Sequence, residues 1–244
     1  MGRSLVERVQ EHYREFLPMA RRWDDPEFLY SWRNPIGRYQ RERIRRALLE
    51  LLTRNRVPIN ADPILDIGCG TGDWLRFFAE VRGTTSGLIG VELSVESLQR
   101  GVMINPGVFT IQADARALPF RDRSFLIISQ FVTFEHLVDL ESLRQACLEL
   151  TRVCSPGGWL IWYDLLPVHS EIQRGFTEAD VRELFSEFEV MDRQPVFRTY
   201  TLLGRQLSTG YAVARRSSLI ADLLERFLPG KANNLLLLLQ HRGK

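Results

Sequence analysis

The sequence predicts an α/β protein built on a Rossmann-like, doubly wound and mostly parallel sheet of about seven strands, with helices on both faces. Three observations indicate this fold. Short apolar runs alternate with helical patterns along the chain, and a glycine-rich turn follows the first apolar run. The 244 residues are 45% hydrophobic and 25% charged, which is typical of a globular protein with one sizeable core.

Seven short apolar runs, bounded by Gly, Pro or Asp, are interpreted as the strands of this sheet. The last run is rich in leucine and could be a buried helix, but its shortness and the glycines near it favour a strand. The predicted strands are Ile64–Ile67, Gly87–Val91, Val108–Ile111, Phe125–Ser129, Trp159–Tyr163, Glu189–Phe197 and Leu235–Gln240.

Helical patterns lie between most of these strands, as a doubly wound sheet requires. The turn Pro156-Gly157-Gly158 is expected to break the chain before the fifth strand. We expect an N-terminal helical lid or extension over residues 1–60 and a sheet domain over residues 61–244, with a helical insertion near 203–228. The predicted helices are Arg38–Arg56, Asp73–Val81, Val95–Val102, Leu140–Val153 and Thr177–Phe188.

Composition and charge disfavour several classes of function. A formal net charge of +2 is too small to make nucleic acid the expected partner. No apolar run approaches the ~18 residues of a membrane span, and the first residues are not signal-like, so we expect a cytoplasmic protein without a membrane span. Cys69, Cys147 and Cys154 show neither CxxC spacing nor nearby histidine pairs. They are expected to be reduced thiols, and no metal site is predicted.

Arginine is concentrated between Arg38 and Arg56, where it alternates with leucine and isoleucine in the spacing of an amphipathic helix. Such a helix either exposes a solvated basic face or offers a site for an anionic ligand. The solvated face is the more common case. The stretch therefore predicts a surface helix and no particular ligand.

The turn DIGCGTGDW, Asp66–Trp74, directly follows the first strand and directly precedes a helix. A ligand over such a turn needs the backbone close to it, and a Cβ at Gly68 or Gly70 would occupy ligand space or forbid the turn. A plain tight turn needs one glycine rather than three at alternate positions. Asp73 stands where a dinucleotide fingerprint needs its third glycine, and no Lys-Ser or Lys-Thr pair follows. A nucleoside ligand without phosphates fits better.

Glu92 stands at the end of the second predicted strand, about twenty residues past Gly72, where an acid can accept hydrogen bonds from a ribose diol. A solvated surface acid is the alternative. The strand delivers Glu92 to the carboxyl edge of the sheet, where ligands bind, and this position favours the ribose role.

Together these motifs resemble class I S-adenosylmethionine-dependent methyltransferases, in particular the small-molecule, methyltransferase type 11-like group that includes quinone, sterol and sugar methyltransferases. The resemblance covers roughly Asp62–Tyr163, with all of its motifs in the family's order. The motifs are ILDIGCGTGDWL at Ile64–Leu75, GVELS at Gly90–Ser94, QADARALPF at Gln112–Phe120, SFLIISQFVTFEHL at Ser124–Leu137 and ELTRVCSPGGWLIW at Glu149–Trp162.

The resemblance implies an enzyme that binds S-adenosylmethionine and releases S-adenosylhomocysteine. The glycine turn would hold the methionine part of the cofactor. Glu92 would bind both ribose hydroxyls, and Leu93 would pack on the adenine. Asp114 would accept from the adenine amino group, although it could instead cap the turn before Leu118-Pro119-Phe120. The implied cofactor-binding residues are Asp66, Gly68, Cys69, Gly70, Gly72, Glu92, Leu93, Asp114, Ala115, Gln130 and Phe131.

The acceptor is expected to be a small molecule, such as a hydroxyl group of a sugar, lipid or secondary metabolite. Gln130-Phe131-Val132 replaces the Asn/Asp-Pro-Pro-aromatic motif of enzymes that methylate nucleobase or protein-amide nitrogens, so such acceptors are disfavoured. A hydroxyl must lose a proton as it attacks, and His136 is the candidate base, with a structural histidine as the alternative. Tyr163, Asp164 and His169 are weaker candidates.

The N-terminal segment is rich in aromatic residues, and related enzymes fold such a segment over the cofactor as a lid. Trp32, Arg38 and Tyr39 are the candidate substrate and lid residues, with core packing as the rival explanation.

Two further functions stay open. A non-catalytic protein that binds S-adenosylmethionine or S-adenosylhomocysteine and regulates a partner would keep the same site. A nucleotide-sugar oxidoreductase is disfavoured by the glycine spacing and by the lack of a Tyr-x-x-x-Lys pair.

Overall fold

The structure is a computed structural model that describes residues 35–61, 63–166, 174–202, 205–208 and 231–243. The chain divides into two compact units. The larger consists of residues 51–193 and 236–244 and holds the glycine-rich turn, while the smaller consists of residues 1–50 and 194–235. No described helix is both long and apolar enough to cross a membrane.

The described residues form ten strands and five α-helices, with a short 3-10 helix at Phe134–His136. The strands are β1 (Ile64–Ile67), β2 (Leu88–Glu92), β3 (Phe109–Gln112), β4 (Phe125–Phe131), β5 (Cys154–Leu165), β6 (Phe188–Pro195), β7 (Arg198–Leu202), β8 (Arg205–Ser208), β9 (Lys231–Ala232) and β10 (Asn234–His241). The helices are α1 (Pro35–Arg54), α2 (Asp73–Arg82), α3 (Val95–Ile104), α4 (Leu140–Val153) and α5 (Glu178–Leu184).

Seven of the strands form one sheet in the order β3-β2-β1-β4-β5-β10-β6, which confirms the predicted Rossmann-like α/β fold. The pairs β1–β2, β2–β3, β1–β4 and β4–β5 are parallel. From β1 the chain moves outward through β2 to β3 and then returns to the other side of β1 at β4. The strand order therefore reverses between β1 and β4, and open α/β sheets bind ligands outside the strand ends at such a point.

Local sequence explains why these elements begin where they do. All four residues of β1 are buried, as expected for a central parallel strand covered on both faces. The side chains of Ser94, Asp139 and Thr177 accept hydrogen bonds from the first turns of α3, α4 and α5, and Asp180 completes a capping box with Thr177.

The expectation that Pro156-Gly157-Gly158 breaks the chain is wrong, because β5 begins at Cys154 and runs through these residues. The register with β4 shifts between the pairs Phe125–Cys154 and Ile127–Trp159, so the extra residues form a bulge. Gly157 has a φ of +74°, which is the left-handed conformation that such a bulge requires. The bulge keeps both ends of the segment in the sheet.

Two helical predictions also differ from the structure. The helix predicted over Thr177–Phe188 ends at Leu184, because Phe188 already belongs to β6. Residues 205–208, inside the predicted helical insertion, form strand β8, while 203–204 and 209–230 lie outside the described residues. The insertion otherwise stays a prediction, as does the N-terminal extension, of which residues 35–54 are helix α1 and residues 1–34 are not described.

In the smaller unit, β7 pairs antiparallel with β8 and β9 in a three-stranded sheet that the sequence did not predict. Arg43 of α1 donates a hydrogen bond of 2.9 Å to the Val196 carbonyl and lies over the Phe197 ring, 5.9 Å from its centroid. Part of the basic helix is therefore used within its own unit, by a guanidinium that combines a hydrogen bond with a cation–π contact.

Candidate functional site

The three glycines of the turn after β1 all adopt left-handed backbone conformations, with φ values of +67° at Gly68, +54° at Gly70 and +86° at Gly72. A Cβ at Gly68 would lie 2.3 Å from the side chain of Thr133, so no other residue fits there. A Cβ at Gly70 would meet no atom within 4 Å. The turn is thus closed on one side by Thr133 and open at Gly70.

Glu92 lies against this turn and is held by two backbone groups. Its Oε2 accepts a hydrogen bond of 3.0 Å from the Gly70 amide, and its Oε1 accepts one of 2.8 Å from the Ser94 amide. Each carboxylate oxygen has two lone pairs, so each keeps the capacity to accept one further hydrogen bond. The structure therefore presents a fixed carboxylate with two acceptor positions beside an open stretch of backbone.

The ends of β1 and β4 are tied together by side chains on β4 and in the loop that follows it. Ser129 donates a hydrogen bond of 2.7 Å to Asp66 Oδ1, and the Thr133 hydroxyl donates one of 3.1 Å to the Ile67 carbonyl. Gln130 accepts from the Thr133 amide and donates to the Tyr163 carbonyl. These bonds hold the glycine turn and the end of β4 in one arrangement.

The backbone directly after β4 is strained at Val132, which has a φ of +57°. A β-branched residue in the left-handed region costs about 1 to 3 kcal/mol and persists only where the surroundings determine it. The Val132 amide is held by the Tyr163 carbonyl at 2.8 Å. The chain changes direction at Val132, and this change places the Thr133 side chain against Gly68. The strained residue therefore helps to close the glycine turn.

Asp66 is a buried carboxyl group directly before the glycine turn. Burial raises its pKa to about 7, and the nearby Glu92 charge adds to that rise, while the hydrogen bond from Ser129 opposes it. The native state thus keeps a proton on Asp66 that the unfolded chain has lost above pH ~4.

We expect this proton to make stability depend on pH. Between about pH 4 and pH 7 the native state binds more protons than the unfolded state, so the free energy of unfolding should fall as pH rises, by on the order of 2 to 4 kcal/mol. Asp66→Asn should flatten that part of the curve. Ser129→Ala keeps the titrating group and should retain the decline. Denaturant unfolding at several pH values measures both, and parallel curves for parent and Asp66→Asn would contradict the assignment.

Asp114 and Ala115 lie beyond the end of β3, where the resemblance implies the adenine. Asp114 caps its own turn, since its carboxylate accepts from the Arg116 amide and pairs with the Arg116 guanidinium at 2.6 Å. Arg116 thereby lowers the pKa of Asp114. Asp114 therefore has the capping role that was the alternative to binding adenine. Its carboxylate can still accept a further hydrogen bond, so the two roles are compatible. A depression of about 360 Å³, lined by Asp114, Arg116, Ala117, Glu141, Ser142 and Gln145, lies on this side of the site.

Aromatic rings line the end of β4. The buried Phe131 ring stacks on Trp74, with centroids 3.8 Å apart and planes 14° from parallel. Tyr163 at the end of β5 lies 6.2 Å from Phe131. Trp74 is the second residue of α2, directly after the glycine turn, so this stack joins the turn to β4 through apolar contact.

His136 ends the 3-10 helix after β4, and its Nε2 lies 3.6 Å from Glu135 Oε1. Glu135 is buried, as are Tyr163 and Asp164 on the neighbouring strand β5. Burial and the charges of Asp164 and Glu135 raise the pKa of Tyr163 well above its usual range, which disfavours Tyr163 as a base near neutral pH. Of the candidate bases, His169 lies outside the described residues.

The candidate lid residues are only partly described. Arg38 and Tyr39 lie on α1 in the smaller unit, where the Tyr39 side chain is buried and Arg38 is exposed. Trp32 lies outside the described residues. Their role toward a ligand stays a prediction.

The larger unit brings the glycine turn, Glu92 and the end of β4 together, and it adds residues that sequence reasoning missed. Thr133 and Ser129 lie within a motif that the resemblance covers, but their bonds to β1 could not be inferred from spacing. Asn105, at the end of α3, is buried and donates a hydrogen bond of 2.8 Å to the Thr71 carbonyl. A Cβ at Gly101 would lie 3.0 Å from the same oxygen. The helix α3 thus supports the glycine turn from outside.

These residues fit S-adenosylmethionine. A ribose diol offers two hydroxyl donors, and Glu92 offers two oriented oxygens with remaining acceptor capacity. The open backbone at Gly70 allows a ligand to lie over the turn.

Cys69, Cys147 and Cys154 are buried free thiols, and burial raises the pKa of each, so they are not reactive groups of the site.

Comparison with known proteins agrees with this geometry. Residues 64–158 match the model of a methyltransferase domain. Demethylmenaquinone methyltransferase of Staphylococcus aureus is 33% identical over 101 residues, which cover 40% of this chain and 40% of that protein. The matched segment therefore spans about two fifths of the length of this relative.

Solved structures share the fold at low identity. An S-adenosylmethionine-dependent methyltransferase from Mesorhizobium loti superposes with a TM-score of 0.55 at 16% identity, over 77% of this chain and 95% of that chain. A protein from Pyrococcus horikoshii superposes with a TM-score of 0.57 at 17% identity, over 93% and 98% of the two chains. The strand order and the glycine turn agree with the matched sequence model, so residues 64–158 resemble a methyltransferase domain built on a Rossmann-like sheet.

Proposed function

We propose that this chain transfers a methyl group from S-adenosylmethionine to a small-molecule acceptor. The observation that carries the proposal is the Glu92 carboxylate, which the Gly70 and Ser94 amides orient through one hydrogen bond to each oxygen. An acid held in this way next to an open glycine turn matches a nucleoside without phosphates. Asp73 stands where a dinucleotide-binding turn needs its third glycine, and its negative charge does not suit a pyrophosphate.

The residues that would hold the cofactor divide by the part they meet. The glycine turn would take the methionine part, Glu92 the ribose, and Leu93, Asp114 and Ala115 the adenine. Gln130 and Phe131, at the end of β4, would border the methionine part. The side-chain amide of Gln130 would act indirectly, because it hydrogen-bonds the Thr133 and Tyr163 backbone and so fixes the backbone there. When bound, S-adenosylmethionine would supply a methyl group on a positively charged sulfur, so that a nucleophile attacking the methyl carbon would displace the sulfur as S-adenosylhomocysteine.

The acceptor is proposed to be a small molecule, in keeping with the demethylmenaquinone methyltransferase that matches part of the chain. Most of the rate gain in such a displacement can come from holding the acceptor in line with the methyl group. His136 follows β4, the strand beside the glycine turn, and can accept a proton if the acceptor is a hydroxyl. We also propose Trp32, Arg38 and Tyr39 as substrate or lid residues. A nucleic-acid partner is not part of the proposal.

Calorimetry and a transfer assay test this function together. We expect S-adenosylhomocysteine to bind and NAD not to bind. Incubation of a metabolite extract with a labelled methyl donor should then transfer label to at least one small molecule. Binding of NAD in place of S-adenosylhomocysteine would overturn the cofactor assignment. Binding without transfer to any acceptor would instead support a regulatory protein that binds the cofactor without catalysis.

The ribose role of Glu92 leads to a quantitative expectation. Glu92→Ala should weaken S-adenosylhomocysteine binding by on the order of 1.5 to 3 kcal/mol, because charge-assisted hydrogen bonds to the ligand are lost. Glu96→Ala is the matched control, since Glu96 lies four residues away on the exposed side of α3 and pairs with Arg100. Titration calorimetry measures both. Equal affinities for Glu92→Ala and the parent would refute the ribose role.

A further inference from the structure

The two edge strands of the large sheet are protected very differently. At one edge, β6 places charged residues at Glu189, Asp192 and Arg193 and ends in Pro195. Charges and proline are the usual means by which an edge strand avoids pairing with another chain. At the other edge, β3 is Phe-Thr-Ile-Gln, without a charge or a proline. Among the described strands, none pairs with the outer side of β3.

An exposed apolar surface adjoins this unprotected edge. Val102, Met103 and Ile104 in the last turn of α3 are 66%, 76% and 53% exposed, and Phe109 at the start of β3 is 59% exposed. We name these four residues the α3–β3 patch. From Gly101 to Gln112 the chain contains no charged residue, although a quarter of the whole sequence is charged. An apolar patch of this kind is often functional, for example as a surface that meets a partner.

We propose that the α3–β3 patch and the outer edge of β3 form the interface between two copies of this chain. A two-fold interface brings a patch against itself, so it must be self-complementary. A neutral apolar patch meets this condition, because no like charges are brought together. The two β3 strands can also pair their backbones, which would satisfy the outward N–H and C=O groups of both edges.

The size of the patch is consistent with a dimer of moderate affinity. Four exposed side chains of this kind present on the order of 400 Å² of apolar surface. Two patches in contact would bury about 800 Å² in side chains alone, and backbone pairing adds to this, so the total reaches the about 1,000 Å² needed by a specific interface. This proposal does not depend on the proposed methyl transfer.

Sedimentation equilibrium of the full chain, from about 1 to about 100 µM, tests the interface. The parent mass should rise with concentration toward twice the 28.3 kDa of one chain. Met103→Glu would place two carboxylates opposite each other, and Phe109→Lys would add an edge lysine, so each should weaken dimerisation at least about tenfold. Leu148→Glu is the matched control, because Leu148 is 62% exposed on α4, outside the patch. It should dimerise like the parent.

Circular dichroism of each variant confirms that the fold is kept, and S-adenosylhomocysteine affinity, which the patch does not contribute to, should be unchanged. A parent that remains a single chain at every concentration overturns the proposal. The proposal is also overturned if Met103→Glu and Phe109→Lys dimerise with the same affinity as the parent, because the interface would then use another surface.

Discussion

Gly70→Val should weaken S-adenosylhomocysteine binding at least about 100-fold, the largest effect on binding that we expect from a single change in the glycine turn. Gly70 has a φ of +54°, and its Cβ position points into space that no protein atom occupies. A branched side chain would fill the space that a ligand over the turn needs. It would also strain the backbone whose amide orients Glu92 at 3.0 Å.

The strain of the substitution must be separated from the loss of ligand space, and Gly83 provides the control. It ends α2 with a φ of +72°, and a Cβ there would likewise meet no atom within 4 Å. Gly83→Val and Gly70→Val should therefore each lower the free energy of unfolding by about 1 to 3 kcal/mol. Only Gly70→Val should lose the ligand. Calorimetry and thermal melting measure both quantities, and undiminished binding by folded Gly70→Val would remove the turn from the cofactor site.

His136→Ala should lower the turnover rate by about 10² to 10⁴ if the acceptor is a hydroxyl and His136 takes its proton, while cofactor affinity hardly changes. The parent rate should also fall on acidification, since a protonated ring cannot accept a proton. The measurement is the pH profile of the turnover rate for parent and variant, with melting temperatures recorded beside it.

His241 is a matched control for this experiment. Like His136, it places Nε2 3.6 Å from a glutamate oxygen, that of Glu187, and its side chain is mostly buried. It lies on β10 and packs on the Phe188 ring, outside the candidate site. His241→Ala should therefore lower stability and leave the pH profile unchanged. If His136→Ala behaves in the same way, with a lowered melting temperature and the parental pH profile, His136 is structural.

The fold was predictable because the information is local. Runs of four to nine residues, separated by helical patterns, lie close to the observed strands and helices, and Leu140–Val153 agrees at both ends. Where prediction was wrong, a distant partner decided the outcome. Pro156-Gly157-Gly158 stays in β5 as a bulge because β4 continues to pair on both sides of it. Residues 198–202 and 205–208 pair with each other in a sheet that the sequence analysis did not predict.

The sequence by itself determined the strand–turn–helix unit of the candidate site, since three glycines at alternate positions and an acid at the end of the next strand are local patterns. Only the tertiary structure decided what fixes that unit. Thr133 closes over Gly68 and bonds Ile67, 66 residues away, while Ser129 bonds Asp66 across 63 residues. It also decided that the β3 edge is left uncovered by the described strands. Residue spacing describes one element at a time, whereas burial, pKa and exposure depend on neighbours that only the folded sheet brings together.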